Sequence, residues 1–153
     1  MDINWKVPKT DAELPVIPLS ALTKIGTALS ESTSGKIEYQ IVRQQKNDGH
    51  ISHSFYIAVP SLQDFRLLAI ETAAPITGYP VKIYDFLNAK NTSMDLALGR
   101  NFVSANTPTE LTNILKTIVE SNQSALVIGS LLAEIGAQAD LTTDNFGRMR
   151  PKR

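Results

Sequence analysis

The chain has 153 residues, 42% of them apolar and 20% charged, a balance typical of one folded domain rather than a disordered protein. It contains no cysteine, which excludes a disulfide framework, a thiol nucleophile and any thiolate metal site. Basic and acidic side chains balance at 15 each, but residues 148–153 carry four of the basic ones and no acid. Residues 1–147 therefore hold 11 basic and 15 acidic side chains. Because this body of the chain is mildly acidic, the charge balance argues against a nucleic-acid partner.

The sequence predicts neither a signal peptide nor a membrane-spanning segment. Residues 1–6 lack the apolar stretch of a signal peptide. The longest apolar run, residues 125–133, has about half of the roughly 20 residues that span a bilayer. We therefore expect a cytoplasmic protein with no membrane partner, a location that the absence of cysteine also fits.

The chain is predicted to have one domain between two looser ends. Residues 1–18 should form an extended arm, because prolines recur there too densely for a helix. These prolines are Pro8, Pro15 and Pro18. Trp5 is expected to anchor the arm, since a lone tryptophan is costly to leave in water. A single domain is predicted over residues 19–140, followed by a loosely ordered basic tail over residues 141–153 that could contact phosphate or an acidic partner or simply be solvated.

The first element predicted within the domain is a short helix over residues 20–29. Its apolar residues fall on one face, and Ser20 is placed to cap it. Residues 30–35 are turn-like and should end it.

A β-hairpin is predicted next, from two alternating segments that flank Asn47-Asp48-Gly49. A two-residue loop would put the apolar residues of the two strands on opposite faces, whereas a three-residue loop puts them on one face. Burial therefore favours the three-residue loop, in which Gly49 takes the left-handed conformation. The pairs predicted in this register are Ile41 with Phe55, Tyr39 with Ile57, and Ile37 with Val59.

Three further strands are predicted along the chain. They cover residues 65–71, 79–86 and 102–104. The first is apolar at most positions, so we expect it to be central in the sheet and covered on both sides. Residues 72–78 are interpreted as a loop because they contain a proline and a glycine, and a helical turn is predicted near Met94–Leu98.

The C-terminal half has helical periodicity. Thr107 can cap a helix, a proline suits its first position, and Glu110 can bond back to the Thr107 amide. The apolar stripe from Leu111 to Val119 predicts a buried helix face. Ser124 begins either a second helix or a continuation of the first after a bend.

Together these elements predict an α+β fold. We expect an antiparallel meander of four or five strands, with the N-terminal helix and one or two C-terminal helices packed on one face. A parallel α/β sheet is disfavoured, because the connections within residues 37–86 are too short for crossovers.

No catalytic or metal-binding site is predicted, and no cofactor is expected. His50 and His53 are three apart in a strand, so their rings should point to opposite faces and cannot share a metal ion. Asp64 and Glu71 lie along the third strand as carboxylates do in restriction-type nucleases, but Glu71 is not followed by the lysine of the Glu-x-Lys element. The glycine-rich and hydrolase motifs are also absent, although an enzyme with carboxylate or tyrosine chemistry remains open.

A ridge of small residues in the last helix is the first candidate for a partner interface. Its members are Ala125, Gly129 and Ala133, continued by Ala137. Such a ridge lets another backbone approach closely, either in a homodimer or partner contact or in packing on this protein's own sheet or preceding helix.

An aromatic set is the second candidate interface. Tyr56, Tyr84 and Phe86 are predicted to lie on the sheet face that the helices leave uncovered. Exposed tyrosines are good interface anchors, although they are also common at sheet edges for packing alone.

Two classes of function therefore remain. The first is a small non-enzymatic intracellular protein-binding module of the immunity-protein, antitoxin or secretion-chaperone kind. The alternative is a small enzyme or ligand-binding domain whose site is not recognisable from the sequence. An apolar cavity with convergent polar groups would favour the second class, and a flat aromatic or acidic patch would favour the first.

Overall fold

The computed structural model describes residues 2–46, 48–88, 102–143 and 146–152, and it has the predicted α+β fold. Five strands form one antiparallel sheet in sequential order: β1 (Glu38–Gln45), β2 (His50–Val59), β3 (Phe65–Pro75), β4 (Val81–Asp85) and β5 (Phe102–Ala105). The α-helices are α1 (Pro18–Ser32), α2 (Pro108–Val119) and α3 (Asn122–Gln138), and the arm predicted as extended contains a 3₁₀ helix at Asp11–Glu13. A separate two-stranded hairpin follows, formed by β6 (Leu141–Thr143) and β7 (Met149–Pro151).

The hairpin of β1 and β2 has the predicted register. Tyr39 lies opposite Ile57 and Ile41 opposite Phe55. The Lys46 amide donates a hydrogen bond to the His50 carbonyl at 2.9 Å, which closes the three-residue loop. Gly49 has a φ of +80°, the left-handed conformation that this loop requires.

A β-bulge in β3 explains why this strand is apolar at nearly every position. Phe55 pairs with Ile70, but the next residue of β2 pairs with Leu68, so Ala69 is left over. The extra residue shifts the alternation, and Leu67 and Ile70 consequently share the face that carries Phe55. The predicted central position of β3 in the sheet is confirmed. Its apolar run, however, comes from the bulge at Ala69 and not from burial of both sheet faces.

Helix α1 begins two residues earlier than predicted, at Pro18. Ile17 is the N-cap, and its backbone exchanges two hydrogen bonds with the Ser20 hydroxyl, which accepts at 3.3 Å and donates at 2.8 Å. Ser20 therefore stabilises the first turn from inside the helix, and its prediction as the cap is wrong. α1 packs on β1 with the buried Gly26 against the Tyr39 ring, which stacks on Phe55 at 5.8 Å.

The two C-terminal helices are separate. Ser124 lies in the first turn of α3, so it belongs to a second helix and not to a continuation of α2 after a bend. Thr107 caps α2 as predicted, its hydroxyl accepting from the Glu110 amide at 3.1 Å, while the Glu110 carboxylate accepts from the Asn106 amide and not from that of Thr107. Ser121 caps α3 by accepting from the Ser124 amide at 3.2 Å.

Several predicted elements differ in the structure. β3 continues to Pro75, so the loop predicted over residues 72–78 is wrong in its first half; the proline ends the strand without breaking it. Trp5 is 87% exposed, and the contact near the arm's end is instead a 2.9 Å hydrogen bond from the Tyr79 hydroxyl to the Val16 carbonyl. The tail predicted as loosely ordered contains β6 and β7. The turn predicted near Met94–Leu98 lies outside the described residues.

Candidate functional site

The sheet has two chemically different faces. The inner face carries Phe55 and Ile70, which belong to one core cluster with buried residues of α1 and α2. The outer face carries a row of directly paired residues that crosses all five strands. This outer row consists of Val42, Ser54, Glu71, Tyr84 and Phe102. None of its members belongs to the core cluster, so the row faces away from the described helices.

Glu71 is at the centre of the outer row, and hydroxyl groups hold its carboxylate in place. Its Oε1 atom accepts hydrogen bonds from the Ser52 hydroxyl at 3.1 Å and from the Ser54 hydroxyl at 3.4 Å. Ser52 is 1% exposed, so one of the two donors is fixed in the sheet. Glu71 itself is half-buried, and it forms no ion pair with any residue that the structure describes.

Aromatic rings and cations share the outer face with Glu71. The rings of Tyr84 and Phe102 are 5.7 Å apart and inclined at 55°. The Lys82 ammonium lies 4.9 Å from the centre of the Phe102 ring. The Arg66 guanidinium lies 4.4 Å from the centre of the Tyr56 ring. The rings on this face therefore already attract cations, while the carboxylate between them is left without one.

The charge of Glu71 also acts on its neighbour in the row. Partial burial, with a further contribution from the negative charge of Glu71, raises the pKa of the Tyr84 phenol above its usual value. Tyr84 therefore stays a neutral hydrogen-bond donor at ordinary pH.

The three aromatic residues singled out from the sequence do not all lie together. Tyr56 and Tyr84 are half-buried on the outer face, on β2 and β4. Phe86 lies beyond the end of β4, where its amide donates to the Ala69 carbonyl at 2.9 Å, so it does not extend the row. Sequence reasoning missed Phe102 and Glu71 as members of this surface. The face on which Phe102 lies is hard to predict from the sequence, because its strand has only four residues and shows little alternation.

The ridge of small residues on α3 is exposed. Gly129 and Ala133 face solvent, and a Cβ atom added to Gly129 would meet nothing within 4 Å. Close packing of this ridge on the protein's own sheet or on α2 is therefore not found among the described residues. Leu126 on the same helix is 65% exposed. Ala125, the first residue of the ridge, lines a cleft on the inner side of the sheet.

That cleft, called here the inner cleft, separates α3 from α1 and has a volume of about 510 Å³. Its floor is the inner face of β2 and β3. The floor residues are Phe55, Ile57, Ala69 and Ile70. The structure therefore has an aromatic patch and an apolar cavity, but the cavity's buried hydroxyls, those of Thr33 and Ser124, are already hydrogen-bonded within the protein, so it lacks the convergent polar groups expected of an enzyme or ligand site.

The two histidines diverge, as the strand geometry predicts. His50 is at the hairpin tip with its Nδ1 atom 3.2 Å from Asp48 Oδ1. His53 is 6% exposed and lies directly between Arg43 and Thr72 in the sheet. Burial, together with the charge of Arg43, lowers the pKa of His53. Within the described ranges no group of three side chains could hold a metal ion.

Comparison with family models, curated proteins and solved structures finds no match to this chain. None of the helices in the described part of the chain has the length and apolar character needed to cross a membrane. Function therefore has to be inferred from the residues themselves.

Proposed function

We propose that this protein is a non-enzymatic protein-binding module whose outer sheet face receives a basic side chain, arginine in particular, of a protein partner. The observation that carries the proposal is the carboxylate of Glu71, half-buried and held by two serine hydroxyls, without a cation among the described residues. An immunity protein, an antitoxin or a secretion chaperone would act through binding of this kind, although that comparison is by analogy alone.

The chemistry of the outer row favours arginine as the group received. A partly buried carboxylate is stabilised when a cation forms a hydrogen-bonded pair with it. A guanidinium can pair with a carboxylate through two parallel hydrogen bonds and can stack on an aromatic ring at the same time. Tyr84, which pairs directly with Glu71 across the strands, provides such a ring, and Phe102 is the next residue of the row. Tyrosine and arginine are also the residue types enriched at the energetic centres of protein interfaces.

The proposal can be tested first without a known partner. Acetyl-arginine-amide is titrated into isotopically labelled protein, with the acetylated lysine amide and acetylated glutamate amide as comparisons. We expect shift changes from the arginine derivative to be centred on Ser54, Glu71 and Tyr84 and to disappear in Glu71→Gln. Glu31→Gln is the matched control, because Glu31 is an exposed glutamate on α1. Shift changes that are equal in Glu71→Gln and in the unmodified protein would contradict the proposal.

The partner itself is then identified by capture from native lysate followed by mass spectrometry. A true partner should be lost with Glu71→Gln and with Tyr84→Ala, and retained with Glu31→Gln. Unfolding curves of the variants establish that the fold is intact. Retention of every captured protein by both outer-face variants would exclude this face as the binding surface.

We also propose two properties that were expected from the sequence: self-association through α3 and a cytoplasmic location. Support for self-association is the exposure of Gly129 and Leu126 on an uncovered helix face. A bulky side chain in the ridge would keep two helices apart, so Gly129→Leu should sediment as a smaller species than the unmodified protein. If a folded Gly129→Leu variant sediments unchanged, α3 does not mediate a homodimer.

A further inference from the structure

We infer that the inner cleft is a binding site for a small amphiphile with an apolar body and a cationic head group. This site is independent of the outer sheet face, since the two lie on opposite sides of the sheet. The inference rests on three observations about the cleft: its volume and apolar lining, the state of its polar groups, and the charge at its mouth.

The size and the lining of the cleft suit a small apolar molecule. Its volume of about 510 Å³ falls within the range of roughly 300–1,000 Å³ usual for small-molecule sites. Its floor is almost fully buried, and its walls are half-buried aliphatic side chains that face each other across the gap. The walls are formed by Ile25 and Leu29 of α1 and by Ile128 and Leu132 of α3.

The cleft is lined on two opposed sides, because α3 stands off from α1 while both helices present aliphatic side chains to the gap between them. An apolar chain inserted there would contact the exposed parts of both walls at once. Such contact removes apolar surface from water on two sides, which is the main source of affinity for a molecule without polar groups.

The buried polar groups of the cleft already have partners within the protein. The Thr33 hydroxyl donates to the Leu29 carbonyl at 3.0 Å and accepts from the Ile37 amide at 3.1 Å. The Ser124 hydroxyl donates to the Ile118 carbonyl at 2.6 Å. A ligand therefore needs no polar group inside the cleft, and a polar group placed there would find no free partner in these two hydroxyls.

The mouth of the cleft favours positive charge. Glu120 is exposed there, and it is the only charged side chain that lines the described cleft. The C-terminal ends of α1 and α2 line the cleft at Ser32 and Val119, and the first turn of α3 lines it at Ser124. The partial negative charge of the two C-terminal ends opposes the partial positive charge at the start of α3, so the carboxylate of Glu120 decides the sign of the charge at the mouth. An amine or quaternary ammonium head group would be attracted at this position, and a carboxylate head group repelled.

The experiment compares three probes of equal chain length by titration calorimetry: decyltrimethylammonium, decanol and decanoate, each below its aggregation concentration. We expect the cation to bind most tightly and decanoate most weakly. Octyltrimethylammonium, shorter by two methylene groups, should bind about fifteenfold more weakly than the decyl probe, because each buried methylene contributes about a factor of four. Methyl resonances of Ile57, Ile70 and Ile128 should shift with the decyl cation.

Two variant pairs locate the site. Ala28→Phe places a ring at the mouth of the cleft and should reduce affinity for the decyl cation at least tenfold, whereas Thr27→Phe, at an exposed neighbour on α1 outside the cleft, should not. Glu120→Gln should reduce the preference for the cation over decanol by about two- to fivefold, as expected for an exposed charge pair. Glu31→Gln should leave that preference unchanged.

Three results would overturn the inference. If none of the three probes binds to the full chain, or if Ala28→Phe and Thr27→Phe affect affinity equally, the cleft is not a ligand site. If decanoate binds as tightly as decyltrimethylammonium, the assignment of a cationic ligand is wrong. Unfolding curves of Ala28→Phe show whether that variant is folded. The methyl shifts in the unmodified protein locate the probe independently of any variant.

Discussion

Among the glycines that the structure describes, Gly26 should be the one at which the fold is least tolerant of an added methyl group. It is buried in the middle of α1, where the helix crosses β1. A Cβ atom added there would lie 2.6 Å from Cδ1 and from Cδ2 of the Tyr39 ring, distances that real Cβ atoms essentially never show. The ring cannot move away freely, because it is stacked nearly parallel on Phe55 with an interplanar angle of 9°.

The expected effect of Gly26→Ala is the difference between two opposing terms. Alanine in a helix interior is favoured over glycine by about 1 kcal/mol. Overpacking a well-packed core typically costs about 1–3 kcal/mol, and loss of the ring stacking adds about 0.5–1.5 kcal/mol. The sum predicts that Gly26→Ala lowers the free energy of unfolding by about 2 kcal/mol.

Gly129→Ala is the matched control, since the same substitution is made in the middle of α3 with nothing within 4 Å of the added atom. Only the helix-propensity term should then act in the monomer, so at protein concentrations that keep the chain monomeric Gly129→Ala should stabilise the protein by up to about 1 kcal/mol. The measurement is urea unfolding monitored by circular dichroism. The curves are analysed with one common slope of the free energy of unfolding against urea concentration. The two variants should differ by about 3 kcal/mol.

A second variant tests the cause assigned to this loss. Tyr39→Leu removes the ring that the new methyl group would meet, so Gly26→Ala should be less harmful in that background. The coupling free energy from the double-mutant cycle measures the clash itself. If Gly26→Ala stabilises the protein as much as Gly129→Ala does, or if the cycle shows no coupling, the packing argument is refuted.

Two further predictions concern the inner face and a helix cap. The unfolded chain binds a proton at His53 more readily than the folded protein, because the folded pKa lies below its ordinary value of 6.5. The free energy of unfolding should therefore fall as the pH drops below about 6.5, and His53→Phe should flatten that dependence, as measured by urea titrations at several pH values. Thr107→Ala removes the hydroxyl that accepts from the Glu110 amide and should cost about 1 kcal/mol. An unchanged unfolding midpoint in Thr107→Ala would contradict the capping role.

The elements that could be predicted from the sequence are those specified by local chemistry. The loop ending at Gly49 and the alternation on both sides of it allow only one register that puts the alternating apolar residues of both strands on one face, and that register is observed. Thr107 and the proline after it specify the start of α2. In each case the signal lies within a few residues of the structure that it specifies.

The features that could not be predicted depend on contacts between distant parts of the chain. The bulge at Ala69 is visible only against the partner strand, because the apolar run of β3 fits a doubly covered strand equally well. The position of Glu71 beside Tyr84 and Phe102 needs the pairing of three strands. The inner cleft depends on how far α3 stands from the sheet, whereas the sequence of α3 indicates only that the helix is apolar.

β3 connects the two proposed sites, because successive residues of a strand point to opposite faces. Ile70 contributes to the floor of the inner cleft, and Glu71, the next residue, is the centre of the outer row. The bulge at Ala69 precedes both, and without it the residues before the bulge would change face relative to Ile70. A protein on the outer face would thus approach from the side opposite to the mouth of the cleft, so the two sites can be occupied at the same time.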